Sequence, residues 1–356
     1  MAEIISTSLS WEQEDAQKYF LEPLFVNNDD LAFFEVITNV SGASYKLDRF
    51  GSLEKFTLAD SGAAFTTGSA ASASTYAQTT VNLTRLKAEA YASAYTFYNT
   101  VKSQLLKQGL GRDDMSGTLL QQIISEVFIK GLKRDMSSQS WLAYTKQADD
   151  STANTDTHFN VYDGLWSQLE GGTGVTNVAV QNSSAVADNG AIAAGVALST
   201  FAAMVAGASD ELLGEKQDAV IFCSRAMADN YKASLQAANT HVSSYTALID
   251  GVQRLTYDGI PLIVKGDWDV HQGASASHNS NGCTSLNKAS STALMKANKS
   301  AAVLTIKNNL VVCTDFEAQD VELWYNQDER QNRFRMSYSI GVGYKDAKYV
   351  VVATQS

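Results

Sequence analysis

The spacing of apolar residues along this chain changes period several times, and each change predicts an element. Near the C-terminus Phe334, Met336, Tyr338, Ile340, Val342 and Tyr344 alternate with polar or small residues without a break. That pattern predicts one long half-buried strand, whose other face opens on Arg333 and Arg335. "KYVVVA" then finishes the sheet. Leu119, Leu120, Ile123, Ile124, Val127, Phe128 and Leu132 instead recur at helical spacing, behind Asp113, Asp114 and Ser116. They predict a helix continuing towards Trp141, about 25 residues and about 37 Å long at 1.5 Å per residue. "SYKLDRF", Ser44 to Phe50, reads as a strand, and the small, polar, Gly-rich stretch from Gly51 to Ser74 as a loop.

The return limb is less regular. Val81, Leu83, Arg85, Lys87, Glu89 and Tyr91 fall on one face, and Asn82, Thr84, Leu86, Ala88 and Ala90 on the other. Neither face is consistently apolar, which predicts a two-stranded ribbon leaving the body rather than a core strand. An isolated ribbon is marginal in water, so it is expected to lie on a partner. Ser10 followed by Trp11-Glu12-Gln13 predicts a capped helix to about Leu21, stopped by Pro23. A further helix is expected from Tyr95 to Gln108. Leu198, Phe201, Met204 and Val205 suggest another. "DAVIFC", Asp218 to Cys223, reads as a buried strand feeding a helix capped by Ser224 and carrying Met227, Tyr231 and Leu235. A strand feeding a helix indicates a mixed α/β lobe. "LTYDGIPLIVKGDWDV", Leu255 to Val270, closes that lobe as a hairpin turning on Asp258-Gly259, with Ile260, Leu262 and Val264 alternating. The polar stretch after it, "HQGASASHNSNGCTSLNKASS", reads as an exposed insertion.

Charge changes this picture. The 356 residues carry a net charge of −11, which argues against a body that grips nucleic acid. Between Met1 and Glu35 there are eight acidic residues and one base, Lys18, whereas Lys46 to Glu89 holds five bases and four acids. An acidic arm and a slightly basic arm are thus available to meet on neighbouring subunits. Cys223, Cys283 and Cys313 are too widely spaced for a disulfide framework or a metal knuckle. No signal-peptide pattern opens the chain and no apolar run approaches the ~20 residues of a membrane span, so we expect a soluble, cytoplasmically made protein with no membrane partner.

Candidate chemistry is sparse. Asp267 and Asp269 flank Trp268 and are open to three readings: an acid/base pair, half a metal site, or the polar end of a hairpin anchored by Trp268. No further clustered carboxylates or histidines support the first two. His271, His278 and Cys283 share one loop but match no finger spacing. His158 and His241 have no nucleophile nearby in sequence, and no G-x-S-x-G elbow is present. "EGGTGV", Glu170 to Val175, does not match G-x-G-x-x-G and reads as a turn. We therefore assign no catalytic, cofactor-binding or metal residues. Arg330, Arg333 and Arg335, close to Asp328 and Glu329, form the densest charge cluster. Inter-subunit salt bridges fit it better than a nucleic-acid patch, given the overall negative charge. Arg49, Lys55, Arg85 and Lys87 of the ribbon join Arg330, Arg333 and Arg335 as candidate inter-subunit contacts.

The order of the parts, with the phrases "GIPLIVKGDWD" and "RMSYSIGVGY", resembles the major capsid proteins of tailed bacteriophages, the Hong Kong 97-type fold. The resemblance implies an α+β chain with an N-terminal arm (1–38), an E-loop hairpin (39–94), a peripheral domain with a long spine helix (95–160), an axial domain (161–300) and C-terminal strands of the peripheral domain (301–356). It implies self-assembly into the hexamers and pentamers of an icosahedral head enclosing double-stranded DNA without sequence-specific binding. Scaffold, portal and decoration proteins are the further partners, the virion is the location, and no cofactor is needed. The chain opens almost directly on the arm, so it is expected to be already mature or assembled with a separate scaffold. Some members crosslink an E-loop lysine to a neighbour's asparagine; Lys55 lies in the corresponding hairpin, but no matching asparagine or assisting glutamate is found. Two other readings stand beside this one: an encapsulin-like compartment shell, and a metal-dependent hydrolase using Asp267 and Asp269.

Overall fold

The computed structural model describes residues 33–50, 76–92, 119–143, 145, 158–169, 172–180, 192–238, 246–249, 252–266, 268, 301–315 and 321–354. The early helices expected over Ser10–Leu21 and Tyr95–Gln108, the insertion after Val270, and Lys55, Asp267, Asp269, His271, His278 and Cys283 all lie outside them.

The described strands begin with β1 (Glu35–Ile37), β2 (Ser44–Phe50), β3 (Tyr76–Asn82) and β4 (Thr84–Ala92). Helix α1 (Leu119–Leu142) follows, 24 residues and about 36 Å long. A short α2 (Leu165–Leu169), β5 (Thr176–Ala179), α3 (Val196–Ala206) and α4 (Asp210–Gly214) lead to β6 (Ala219–Ser224) and α5 (Arg225–Ala237). The remainder is β7 (Thr246–Ile249), β8 (Val252–Tyr257), β9 (Ile260–Lys265), β10 (Ala302–Ile306), β11 (Leu310–Thr314), β12 (Val321–Asn326), β13 (Gln331–Tyr344) and β14 (Val350–Thr354).

The alternating C-terminal run is β13, and its fourteen residues organise one sheet. Along one edge β4 pairs antiparallel from Asn332↔Ala92 to Ile340↔Thr84. Along the other, β12 pairs with the first half and β11 with the second, and β1 adds in parallel to the far side of β11. Phe334, Met336, Tyr338, Ile340 and Val342 are buried. Met336, Tyr338, Ile340 and Val342 share one core cluster with Leu132 and Met136 of α1, and Phe334 stacks on Phe128 at 6.0 Å. The strand and the helix predicted from two different periods are therefore the two sides of one core.

The return limb departs from expectation. It does not run on as a free ribbon: β3 pairs with β2, from Ser44↔Asn82 to Phe50↔Tyr76, and β4 then enters the sheet beside β13. The buried parity changes at the joint. Val81 is buried in β3, while Leu86, Ala88 and Ala90 are the half-buried set in β4. A single alternation across both strands therefore mixes two environments, which is why neither face looked apolar. The base of the ribbon lies on the sheet face away from α1, where Val40, Leu47 and Val81 meet Val311 and Cys313. Gly341 permits this close approach, because a Cβ there would stand 2.4 Å from the Asn82 carbonyl oxygen. Arg49 of β2 pairs with Asp346 beyond the end of β13 and ties the ribbon down a second time.

The second sheet has the order β5-β14-β10-β6-β9-β8-β7. "KYVVVA" thus ends in a different sheet from β13. Both of its faces are covered, so its central strands read as continuous apolar runs. Val220, Phe222, Ile263, Val303, Val350 and Val352 join the α1 core, while Ile221, Cys223, Leu262, Leu304 and Val351 face α3 and α5. Ser224 caps α5 as expected, accepting from the Met227 N–H at 3.2 Å. The first turn of α3 is capped from outside: the Asn230 side chain of α5 accepts from Ala197 N–H at 3.2 Å and donates to the Ala193 carbonyl at 2.8 Å. Leu198, expected in the apolar stripe of α3, is exposed.

The β8–β9 hairpin turns on Asp258 (φ 51°) and Gly259 (φ 82°), two consecutive positive values that match the strand twist of a primed two-residue turn. The expected alternation of β9 holds for Ile260 and Leu262 and then fails. Val264 is 46% exposed, because the core on that face has ended, while Lys265 is buried on the other face and donates to Ser137 Oγ of α1 at 2.9 Å. Trp268 is fully buried, 4.9 Å from both Trp141 and Trp166. Truncating it to Ala should lower the urea unfolding free energy of the unassembled subunit by about 3–5 kcal/mol, and Trp268→Phe by clearly less, as read by circular dichroism. Gly341→Val should displace the ribbon base while leaving the helical signal intact, seen as faster proteolysis within residues 44–82.

Candidate interaction surface

Four of the seven cations proposed as contacts come together on one face. In an antiparallel sheet directly opposed residues share a face. The register places Trp324, Arg333 and Tyr91 in one cross-strand row, and Glu322, Arg335 and Glu89 in the next. Ser337 faces Lys87, and Ser339 faces Arg85. This is the side of β13 turned away from α1, so the same alternation that fills the core leaves these positions outward. Among the side chains described, Arg85, Lys87, Arg333, Arg335 and Glu89 lie on it, in a chain whose net charge is −11.

The geometry within the rows is specific. Arg335 donates to Glu89 Oε1 from Nε at 2.9 Å, and its Nη2 lies 2.8 Å from the same oxygen. Lys87 Nζ reaches Glu89 Oε2 at 3.1 Å, so one carboxylate bridges two cations. Arg335 also lies over the Trp324 ring, 5.8 Å from its centroid. Arg333 pairs with Glu329 four residues earlier, at the β12–β13 turn. Tyr91 is 71% exposed, an aromatic ring left in water at the end of its row. The hydrogen bond from Arg335, and then that from Lys87, holds the Glu89 carboxyl below its ordinary range.

The other cations lie elsewhere. Arg330 is exposed in the β12–β13 turn at φ 52°, a left-handed conformation that costs a non-glycine residue strain. Arg49 is on the ribbon, paired with Asp346 within the chain. Lys55 is outside the described residues. Sequence reasoning places Glu89 and Tyr91 on the face of Arg85 and Lys87 without naming them as contacts, and it misses Trp324. The alternation of β13 marks its outward face, but nothing in the sequence gives the register of β4 against it.

Chemistry finds little support among the described residues. No group of three or more His, Cys, Asp or Glu side chains there is arranged to hold a metal. Cys223 and Cys313 are buried in separate clusters, and burial pushes the Cys313 thiol up to about 11, away from the reactive thiolate. His158 Nε2 lies 4.0 Å from Asp135 Oδ1, and the Asp135 carboxyl is raised by burial, opposed by His158 and Arg134. No helix among the described residues is long and apolar enough to cross a membrane.

No family model and no curated protein matches this chain. Solved structures do. A chain of the satellite phage P4 procapsid that includes the size determination (Sid) protein superposes with a TM-score of 0.54 at 12% identity, over 94% of this chain and 97% of that one. The chain has the fold of a phage capsid protein. The α+β, Hong Kong 97-type architecture suggested by its segment order is thereby found in three dimensions. The capsid of Myoviridae phage XM1 aligns at a TM-score of 0.49 and 9% identity, over 91% of this chain and 90% of that one. The capsid of a native GTA particle gives 0.47 and 14%, over 100% and 95%.

The charged rows occupy the outward face of the sheet that carries the ribbon and the long helix, and exposed pairs of this kind add little to subunit stability. Glu89 has a depressed carboxyl, so what it contributes is present above the unfolded carboxylate range and lost as pH falls through its own lower value. Arg335→Gln should move the Glu89 titration midpoint up towards the ordinary range, as followed by carboxyl carbon NMR on the unassembled subunit.

Proposed function

We propose that this chain is the major subunit of an icosahedral phage head, a structural protein rather than an enzyme. It assembles with copies of itself into hexamers and pentamers that enclose double-stranded DNA and become part of the virion. The observation that carries the reading is the capsid fold shared with the procapsid chain over nearly the full length of both. The distribution of surface supports it. The β2–β3 ribbon is too small to be stable alone and, among the described residues, is held to the body at its base and by the Arg49–Asp346 pair. The outward face of β4 and β13 is charged and aromatic rather than plainly solvated. A closed symmetric assembly supplies neighbours for both.

In this reading the ribbon with residues 51–75 is the E-loop, α1 is the spine helix, and the five-stranded sheet belongs to the peripheral domain. The lobe built on α3, α5 and the outer strands of the second sheet is the axial domain, which meets its copies around capsomer axes. Arg49, Lys55, Arg85, Lys87, Arg330, Arg333 and Arg335 contribute charge to contacts between subunits. A scaffold, a portal and decoration proteins are the partners such a head uses. A net charge of −11 keeps the lining from holding packaged DNA by adhesion.

Electron microscopy of the purified protein, with and without a scaffold partner, tests the proposal directly. Closed shells are expected, and a compact monomer under every assembly condition would sink it. Deleting Gly51 to Ser74 should leave the subunit folded by circular dichroism but strongly reduce shell yield.

A further inference from the structure

We infer that the connector between β13 and β14, residues 345–349, is a relay that makes the start of α4 respond to the position of the β2–β3 ribbon. The inference concerns the folded subunit and stands apart from the assembly reading, which only gives it a use. Its first ground is one shared oxygen. Asp346 Oδ1 accepts from the Lys348 N–H at 3.0 Å and so caps the 3-10 turn Ala347–Tyr349. The same oxygen pairs with Arg49 of the ribbon. Guanidinium and turn are thus held by one atom, and each polarises and orients the acceptor that the other uses.

The second ground is that the backbone of Asp346 is fixed by something else. Asn309, itself buried, accepts from the Asp346 N–H through Oδ1 at 3.0 Å and donates to the Asp346 carbonyl from Nδ2 at 3.1 Å. With both main-chain groups held, movement of the ribbon is taken up by the Asp346 side chain, which is the part that caps the turn.

The third ground is what the turn holds in its own right. The Lys348 carbonyl accepts from Ser209 Oγ at 2.9 Å, and that hydroxyl oxygen is the N-cap of α4, accepting from the Leu212 N–H at 3.2 Å. Lys348 Nζ also pairs with Glu211 Oε1, in the first turn of α4, at 3.2 Å. The path from Arg49 through Asp346, Lys348 and Ser209 to the Leu212 amide is therefore unbroken. It ends in the lobe core, because the Leu212 side chain is fully buried in the cluster that α3 and α5 line. Separate surface ion pairs would act independently. Here consecutive contacts share an acceptor or a residue, so a coupling between ribbon and α4 is expected, and by linkage it runs both ways.

Amide hydrogen exchange on the full chain, resolved to single residues by mass spectrometry, tests this against the unsubstituted chain in the same assembly state. Arg49→Gln should speed exchange of the Lys348 and Leu212 amides about two- to fivefold, the size expected for one partly exposed ion pair. The Met227 amide is the control, since it is capped in the same way by Ser224 Oγ at 3.2 Å but lies off the path, and it should not change. Ser209→Ala supplies the reverse arm. Exchange in the ribbon strands 44–50 and 76–82 should rise, an effect that a residue serving only to cap α4 does not produce. Unchanged Leu212 exchange in Arg49→Gln would overturn the inference, as would an unchanged ribbon in Ser209→Ala. An equal rise at Met227 would overturn it too, because it would mean general loosening of the lobe.

Discussion

Strand β13 is the constraint on which the rest of the subunit depends. Its fourteen residues present two edges and two faces, and each must be satisfied by a different part of the chain. Backbone pairing with β4 fills one edge, and β12 and β11 share the other. One face is buried under α1. The other is divided, with its glycine end covered by the ribbon base and its arginine end turned outward. Its β4 partner lies far back in the sequence, from Ala92 opposite Asn332 to Thr84 opposite Ile340, so this strand joins early and late parts of the described chain.

The two sheets are then fixed to one another through shared burial. Every second residue of β6, β10 and β14 faces the core that α1 and β13 also line, and the alternate residues face α3 and α5. A strand that serves two cores cannot slip register by one residue without exchanging them. Lys265 adds a polar tether at the same boundary, its ammonium bonded to Ser137 of α1. The described strands of the second sheet are thereby tied to the α1 core at both their apolar and their polar contacts.

Much of this was legible from periodicity, and what was not has a physical cause. The span of α1, the strand at β13, the buried β6 feeding a helix capped by Ser224, and the Asp258-Gly259 turn all follow from residue pattern, because local chemistry decides each of them. Val264 departs from the predicted alternation because alternation reports which face a side chain is on, and only the tertiary structure reports where the core on that face ends. The limb through Val81 and Leu86 was misread because two strands with different burial meet at Leu83 with no glycine or proline to mark the joint. The outward rows needed a cross-strand register between residues 85–91 and 333–339, and no single-sequence pattern carries that.

The most telling choice in the core is aromatic. Trp141, Trp166 and Trp268 are all within about 1% of complete burial and pack at ring separations of 4.9–6.3 Å, yet their indole N–H groups, like the Tyr162 hydroxyl, have no hydrogen-bond partner among the described residues. Each unsatisfied donor costs about 1–3 kcal/mol. Burying ~150–250 Å² of aromatic surface contributes about 4–6 kcal/mol per ring, at ~25 cal/mol per Å². Burial wins for every ring, and the margin is what lets three indoles from α1, α2 and the end of the β9 segment meet without a polar network to align them. That cluster makes Trp268 an anchor: its ring, packed between Trp141 and Trp166, joins the second sheet to the α1 core by packing alone.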